Sequence, residues 1–325
     1  MRSSRELRRS SSRSHEIMAR VNERVLVTGA YGCIGAWVVH ELVRDGRDAV
    51  TFDLSTDPRR PRLLLGDEVE SVPHVAGDIT DGASFEHALD EHAITKVIHL
   101  AALQVPFVRA DPPLGARVNV LGTVNVFEAA KRRELAPIVY ASSIAALDRD
   151  GGVIGPPSTL YGAFKRANEH TARVYFEENG IASVGLRPHT VYGVGRDQGV
   201  TSAPTTAMLA AAAGQPYTIP YGGACQMQFA RDVARAFIAV GDAGAEGAEV
   251  HNLPGARTAI ADVVAAIGAD SIGYDDVVLP FPEETDATSF RKLVPEFADT
   301  PLDEGVTLTM TRFRELLAEG LVTAP

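Results

Sequence analysis

A tyrosine and a lysine stand four residues apart, at Tyr161 and Lys165, in a stretch with helical spacing. Side chains at that spacing project from one face of a helix, so the ammonium can lie near the phenol. A free phenol has a pKa of about 10 and is a poor base at neutral pH, but a nearby positive charge favours the phenolate. The pair therefore predicts a tyrosine that can remove the proton of an alcohol.

A serine hydroxyl is predicted to lie beside this pair. The run from Pro137 to Ala141 predicts a strand, and Ser142 and Ser143 follow it directly. A hydroxyl from Ser143 can hold a substrate oxygen next to the phenol. Proton removal by the tyrosine could then accompany hydride transfer from the same carbon to a nicotinamide ring.

The segment from Arg24 to Asp53 predicts a binding site for the hydride acceptor. It contains an apolar strand, a glycine-rich turn, apolar residues at helical spacing and a second strand that ends in an acid. Gly29 permits the tight turn, Gly32 lets the backbone approach a pyrophosphate, and Gly35 lets the helix pack close to the sheet. The helix N-terminus offers N–H groups to the phosphates. This order of elements predicts a dinucleotide site.

The acid at the end of the second strand favours NAD over NADP. A carboxylate at Asp53 can accept hydrogen bonds from the adenosine ribose diol. Arg59 and Arg60 follow in the polar segment Ser55–Arg62, which is predicted to be a loop, and they raise the question of a cofactor with a 2′-phosphate. The charge of Asp53 would oppose that phosphate, so NAD is the predicted cofactor.

Strands and helices alternate along the rest of the chain, which is typical of a parallel sheet. Strands are predicted within 72–81, 96–102, 137–143 and 184–193, and a helix over 118–130. The small residues of Leu100–Ala102 leave room for a flat ligand at a strand end, and His99 is interpreted as a strand residue satisfied by its neighbours. The predicted fold is a Rossmann-type doubly wound parallel α/β sheet. Residues 23–190 would form the NAD-binding domain, and 191–325 mainly a small substrate-binding region, with some elements returning to the first domain.

The glycine spacing GxxGxxG, preceded by Val27 and Thr28, resembles the extended short-chain dehydrogenase/reductase family, which includes nucleotide-sugar epimerases and dehydratases. The Tyr-x-x-x-Lys pair, the His-Leu-Ala-Ala run and an Asn-x-x-Gly-Thr helix extend the resemblance to nearly all of residues 24–318. It implies that Ser143, Tyr161 and Lys165 are catalytic, with Ser142 as the alternative hydroxyl. The cofactor contacts that it implies are Gly29, Tyr31, Gly32, Cys33, Ile34, Gly35, Asp53, Asp78, Ile79, Leu100, Ala101, Ala102, Asn119, Tyr161, Lys165 and Pro188.

The sequence departs from this family at the substrate end. Thr190 stands where the nucleotide-sugar enzymes carry an Asn that contacts the diphosphate, and Cys225 stands where they carry a phosphate-binding Arg. A thiol cannot replace a bidentate guanidinium, so a free sugar, sugar acid or polyol is expected rather than a nucleotide-linked sugar. Ile144 and Ala145 replace the acid that the family's 4,6-dehydratases and some of its decarboxylases need, so neither reaction is expected.

Candidate substrate contacts are Gln104, Ser143, Thr190 and Arg196. Gln104 follows the predicted fourth strand. Arg196 lies in the polar, glycine-bounded loop Gly195–Ser202, where it could hold a carboxylate or phosphate. The same loop could instead be a solvated connection that caps the next helix.

The composition limits the partners of this 325-residue chain. Its net charge of −11 offers no general attraction to nucleic acid, and it has no apolar run long enough to span a membrane. Cys33 and Cys225 show no metal-ligand spacing, so free thiols, no metal site and a cytoplasmic location are predicted. Residues 1–22 are predicted to be a disordered extension, with Met18 as the natural initiator. A transit peptide or a surface-binding tail is the alternative.

These features favour an NAD-dependent oxidoreductase that acts on a secondary alcohol of a sugar, sugar acid or polyol. An epimerase that returns the hydride to the other face of the same carbon is the alternative. A non-catalytic NAD-binding regulator is a third hypothesis, which the intact Ser143, Tyr161 and Lys165 disfavour. The family resemblance also implies a homodimer, formed through the helices around Asn119 and Tyr161.

Overall fold

The computed structural model describes residues 23–135 and 137–325, so the predictions for residues 1–22 lie outside the described residues. The strands are β1 (Arg24–Thr28), β2 (Asp48–Asp53), β3 (His74–Ala76), β4 (Lys96–His99), β5 (Ile138–Ala141), β6 (Ser183–Arg187), β7 (Thr190–Tyr192), β8 (Tyr217–Ile219), β9 (Ala224–Phe229), β10 (Ala248–Asn252), β11 (Arg257–Ala259) and β12 (Ile272–Tyr274). The α-helices are α1 (Cys33–Arg44), α2 (Arg59–Leu65), α3 (Gly82–Glu91), α4 (Val105–Ala110), α5 (Pro112–Ala116), α6 (Gly122–Arg133), α7 (Leu160–Asn179), α8 (Ala203–Ala212), α9 (Ala230–Ala243), α10 (Ile260–Ile267), α11 (Thr288–Leu293) and α12 (Leu302–Ala318).

A seven-stranded parallel sheet forms the centre, in the order β10-β6-β5-β4-β1-β2-β3. The chain runs outward from β1 to β3 and then crosses back, so that β4 pairs with the other edge of β1. The connections that leave β1 and β4 go to opposite faces of the sheet, since α1 belongs to one core and α6 to the other, and this opens a crevice at the carboxyl ends of the two strands. The predicted Rossmann-type doubly wound fold is confirmed.

The two faces of the sheet carry separate apolar cores. Val25 and Val27 of β1 face one core, and Leu26 between them faces the other, as the period of two in a strand requires. Trp37 of α1 and Phe237 of α9 belong to the first core. Because both faces of the sheet are covered, central strands such as β1 and β5 are largely apolar, with Val25–Val27 and Ile138–Tyr140 buried.

Some elements of the C-terminal half form small separate sheets, and others pack on the central sheet. β7, β9 and β11 form a small sheet, and β8 pairs with β12. In contrast, β10 joins the edge of the central sheet beside β6, and α9 packs on α1. None of the helices within the described residues is long and apolar enough to cross a membrane.

Two segments differ from the predicted local structure. The loop predicted over Ser55–Arg62 becomes helical at Arg59, because Pro61 lies in the first helical turn, where no backbone N–H donor is needed, and Leu63 is buried. The helix predicted over 118–130 is preceded by a π-helical turn, Arg117–Leu121, before α6 begins.

Candidate active site and cofactor cleft

A cleft of about 580 Å³ lies at the carboxyl ends of the central strands, beneath loops of the C-terminal half. Every predicted site residue except Asn119 lines it. Asn119 is buried behind the cleft, where its side chain accepts from the N–H of Leu103 (2.7 Å) and donates to the carbonyl of Leu103 (2.9 Å). Its predicted direct contact with the cofactor is therefore replaced by support for the loop after β4.

The glycine-rich turn leaves the space that a dinucleotide needs. A Cβ at Gly35 would lie 2.2 Å from the carbonyl oxygen of Gly29, and one at Gly29 would lie 2.7 Å from the Cα of Ala101. Gly29 also has a φ of 64°, which favours glycine. α1 begins directly after Gly32 and has no acidic residue in its first turn, so its free N–H groups suit a pyrophosphate. The turn fits the predicted ligand.

Asp53 is held at the edge of the cleft by two backbone donors. Its carboxylate accepts from the N–H of Tyr31 and the N–H of Ser55, each at 2.9 Å. These bonds fix the carboxylate where the second strand ends, and leave it lining the cleft. The arrangement suits a ribose diol donating to the carboxylate.

Replacing Asp53 with Ser is expected to lower kcat/KM for NAD and to reduce the preference of the enzyme for NAD over NADP. Loss of hydrogen bonds to a charged group costs about 1.5–3 kcal/mol, so kcat/KM for NAD should fall at least about tenfold. The value of kcat/KM for NADP should fall less, because the substitution also removes the repulsion between the carboxylate and the 2′-phosphate. Steady-state kinetics with both cofactors measures the ratio. Asp67→Ser, an exposed change outside the cleft, is the control and should leave that ratio unchanged.

The side chains of Ser143, Tyr161 and Lys165 meet at the centre of the cleft. The phenol of Tyr161 forms a hydrogen bond with the side chain of Ser143. The ammonium of Lys165 donates to the carbonyl of Ala141 (2.6 Å) and lies 5.7 Å from the centroid of the Tyr161 ring. Ser142 points elsewhere, since its hydroxyl donates to Glu169. The geometry therefore favours Ser143 over Ser142.

The pKa of Tyr161 differs from the sequence-based expectation. Burial raises it above its ordinary value, and the hydrogen bond with Ser143 and the charge of Arg196 only partly oppose that effect. Burial also lowers the pKa of Lys165 to about 8, although the charge of Glu169 opposes this. The expected net lowering of the phenol pKa is therefore wrong for the protein alone, because desolvation outweighs the opposing effects of Ser143 and Arg196.

Gly162 sets the position of the helix that carries Tyr161. A Cβ at residue 162 would lie 1.9 Å from the carbonyl oxygen of Ala145, in the 3₁₀ turn that follows Ser143. Only glycine allows this close approach of α7 to the turn. The contact fixes the phenol against the serine hydroxyl.

Replacing Gly162 with Ala is expected to lower kcat about 100-fold, because a displacement of about 1 Å between reacting groups can cost that much. NAD binding should change far less, since the glycine-rich turn lies elsewhere. The measurement is kcat beside a fluorescence titration with NAD. Ala163→Ser, at the next and exposed position of the helix, should retain nearly full activity. Full activity in Gly162→Ala would show that the close approach is unnecessary.

His99 is buried and forms hydrogen bonds through both ring nitrogens. Nδ1 pairs with the hydroxyl of Thr28 (2.8 Å) and Nε2 with that of Thr123 (3.1 Å). Burial lowers its pKa to about 3, so the ring is neutral. It is a strand residue satisfied by its neighbours, as the sequence indicated.

The substrate end of the cleft contains Arg196. Its guanidinium donates to the side chains of Gln104 (3.4 Å) and Thr201 (3.1 Å). Thr190 and Cys225 also line the cleft but are nearly fully buried, and the Cys225 thiol lies 3.6 Å from the sulfur of Met227. The cationic group at this end is therefore Arg196.

An ion pair that the sequence did not predict joins the two ends of the cleft. Arg60 donates to the Asp197 carboxylate (2.8 and 3.0 Å) and to the carbonyl of Tyr31 (3.0 Å). It thereby links the glycine-rich turn to the loop that carries Arg196. Arg60 and Asp197 are both visible in polar segments, but nothing in the sequence pattern pairs them.

A buried charge network lies behind the candidate catalytic groups. The Arg187 guanidinium donates to both carboxylate oxygens of Glu169, at 2.7 and 2.6 Å. The same carboxylate accepts from Ser142, next to Ser143 in the chain. The network joins β5, β6 and α7 directly beneath the cleft.

Comparison with known proteins identifies the family. Residues 25–253 match the NAD dependent epimerase/dehydratase family. The chain is 29% identical to UDP-glucose 4-epimerase of Mycolicibacterium smegmatis over 320 residues, covering 90% of this chain and 98% of that protein. It superposes on the UDP-glucose 4-epimerase of Thermus thermophilus, solved in complex with NAD, with a TM-score of 0.76 and 25% identity over 90% of this chain and 99% of that one.

A more distant structural likeness concerns the fold alone. An L-threonine dehydrogenase from Clostridium difficile superposes with a TM-score of 0.80 and 19% identity, covering 92% of this chain and 99% of that one. The family match, in contrast, spans more than half of the chain. The protein therefore belongs to the NAD dependent epimerase/dehydratase family and is an NAD-dependent enzyme of the extended short-chain dehydrogenase/reductase type.

Proposed function

We propose that this enzyme oxidises a secondary alcohol on a small carbohydrate-like molecule, or catalyses the reverse reduction. The observation that carries the proposal is the meeting of Ser143, Tyr161 and Lys165 in the cleft that the glycine-rich turn opens. When bound, NAD supplies the hydride acceptor for oxidation. The assembled trio disfavours a purely regulatory NAD-binding protein.

The proposed roles of the three side chains follow from their contacts. The hydroxyl of Ser143 holds the substrate oxygen beside the phenol, with which it already shares a hydrogen bond. Tyr161 takes the proton of the alcohol. Lys165, held by the carbonyl of Ala141, favours the phenolate that forms when this proton is lost.

A free sugar, sugar acid or polyol is proposed over a nucleotide-linked sugar. Thr190 and Cys225 line the substrate end without offering a cation, and the thiol packs against Met227. The burial that raises the pKa of Cys225 keeps this thiol neutral. Neither side chain can replace a guanidinium on a diphosphate.

Epimerisation is the second candidate, because the match to a UDP-glucose 4-epimerase covers 98% of that protein. It uses the same first step at Tyr161 but returns the hydride to the other face of the carbon. An epimerase would interconvert isomers without net NADH.

Incubation with NAD and a panel of sugars, sugar acids, polyols and UDP-sugars separates these functions. Net NADH absorbance from an unlinked substrate supports the proposal. Isomer interconversion without net NADH supports the epimerase, and micromolar binding of a UDP-sugar would overturn the preference for unlinked substrates. Absence of both reactions across the panel would contradict the enzyme proposal.

We also propose a homodimer. Exposed apolar side chains occur on α4, α5, α7 and the π turn, and these elements pack against one another. They are Phe107, Leu114, Leu121, Leu160 and Val174. A second copy covering this surface would remove them from water. Light scattering during size exclusion should give twice the chain mass, and a monomer at micromolar concentration would contradict it.

A cytoplasmic location, with no nucleic-acid partner, completes the proposal. Cys33 and Cys225 are both free thiols, as expected in a reducing compartment. The net charge of −11 offers no attraction to a phosphate backbone.

A further inference from the structure

Two polar groups at the substrate end of the cleft are buried without hydrogen-bond partners in the described part of the chain. They are the hydroxyl of Tyr221, whose side chain is 2% exposed, and the Nε of Arg196. Both residues line the cleft. Buried polar groups are almost always paired, because leaving one unpaired costs free energy. Their position in a ligand-sized cleft points to a ligand as the missing partner.

Neighbouring side chains hold Arg196 in place but do not neutralise it. Gln104 and Thr201 accept from its two terminal nitrogens. No carboxylate among residues 23–135 and 137–325 pairs with it, and the adjacent Asp197 pairs with Arg60. Glycine at position 199 is needed for this contact between Arg196 and Gln104, since a Cβ there would lie 2.3 Å from the Gln104 side-chain oxygen. The cleft therefore presents an oriented guanidinium that has no counter-charge.

The guanidinium, the unpaired phenol of Tyr221 and the phenol of Tyr161 line the same cleft. Its charge acts on Tyr221 and on Tyr161, and it opposes the rise that burial causes in the pKa of each. The charge of Arg196 also acts on Cys33, which burial keeps neutral by raising its pKa to about 11. An anion seated here would lie near the alcohol that Tyr161 deprotonates.

We propose that Arg196 and Tyr221 together bind the carboxylate of the substrate, so that the substrate class is a sugar acid. A planar carboxylate can accept from the guanidinium edge with one oxygen and from the phenol hydroxyl with the other. This assignment rests on the proposed function, because it places the oxidised alcohol at Tyr161 on the same small molecule.

The test compares acids with their neutral counterparts. The probes are uronates and aldonates beside the aldoses and alditols of matching configuration, and kcat/KM is read from NADH. The unaltered enzyme should prefer the acid of a matched pair by about 100-fold. Arg196→Met should lower kcat/KM for the acid about 100-fold, and Tyr221→Phe about tenfold, mainly through KM. Each variant should lower kcat/KM for the acid more than kcat/KM for its neutral partner, and Arg196→Met should also slow the neutral partner, because its charge acts on Tyr161.

Control variants separate this role from a general loss of structure. Tyr217→Phe and Arg314→Met make the same chemical changes outside the cleft and should leave both substrates unaffected. NAD titration and thermal unfolding should be unchanged in Tyr221→Phe, because its hydroxyl has no partner among residues 23–135 and 137–325 to lose. Equal use of the acid and the neutral sugar, or an unchanged KM for the acid in Tyr221→Phe, would overturn the proposed carboxylate clamp that Arg196 and Tyr221 form.

A binding measurement distinguishes failure of the clamp from failure of the proposed reaction. Calorimetry with the NAD-loaded protein and the same uronates and aldonates needs no turnover. Binding that Arg196→Met abolishes would support the clamp even if no NADH formed. Absence of binding by every acid would overturn the clamp, while NADH formation from a neutral sugar would still support the oxidoreductase. Binding of UDP-sugars that is lost in Arg196→Met would assign the cation to a diphosphate instead.

Discussion

Replacing Tyr161 with Phe is expected to lower kcat by about 10²–10⁴-fold, the usual contribution of a positioned acid or base. Phenylalanine keeps the ring but removes the hydroxyl that bonds with Ser143. The glycine-rich turn and Asp53 are untouched, so NAD affinity should stay within a few-fold. Single-turnover formation of NADH, with a fluorescence titration of NAD, separates the two effects.

The pH dependence gives a second measure of the same residue. Burial raises the pKa of Tyr161, so the phenol is protonated at neutral pH and the rate of oxidation should rise as the pH increases. The rise should level off above a pH of about 8, where Lys165 loses its charge. Tyr161→Phe should remove the rise. An unchanged pH profile and kcat in this variant would exclude the tyrosine as the base.

Replacing Arg187 with Met is expected to reduce the free energy of unfolding by about 3–5 kcal/mol. The change leaves the Glu169 carboxylate, whose side chain is 9% exposed, without its bidentate cation. Removing one partner of a buried ion pair is costly because the other charge stays desolvated. The double variant Arg187→Met with Glu169→Leu should recover part of the loss, since no buried charge remains. Urea unfolding measures each value.

An exposed ion pair on the same helix provides the control. Arg173 and Glu177 pair at 2.8 Å, but their side chains are 70% and 55% exposed. Arg173→Met should cost no more than about 1 kcal/mol, because solvent screens such pairs. Similar losses of unfolding free energy in Arg173→Met and Arg187→Met would show that burial does not increase the cost of breaking the Arg187–Glu169 pair.

Local spacing accounts for what the sequence predicted well. Gly29, Gly32 and Gly35 act within one turn, and Tyr161 and Lys165 act within one helical repeat, so their arrangement is readable from a short stretch. The parallel sheet followed from the alternation of strand and helix signals. These features led to the Rossmann-type fold and to NAD, both of which are confirmed.

Long-range packing accounts for what the sequence did not predict. Arg60 and Asp197 are 137 positions apart, and no pattern connects them. Tyr221 is a candidate because its hydroxyl is buried without a partner among the residues that the structure describes, and no sequence pattern indicates this. The sequence-based expectation that the pKa of Tyr161 is lowered was also wrong because of long-range packing. Desolvation of the phenol depends on every element around it.

The return of β10 to the edge of the central sheet bears on how the chain folds during synthesis. The sheet cannot be completed until residue 252 has left the ribosome, since Ala248–Asn252 pairs with β6. A fragment ending at residue 190 would leave the edge of β6 unpaired and the apolar face of α1 uncovered by α9. Exposed edges and late long-range pairing slow folding and favour aggregation. We therefore expect the C-terminal half to take part in folding the dinucleotide-binding sheet, and a fragment ending at residue 190 to give less soluble protein than the full chain.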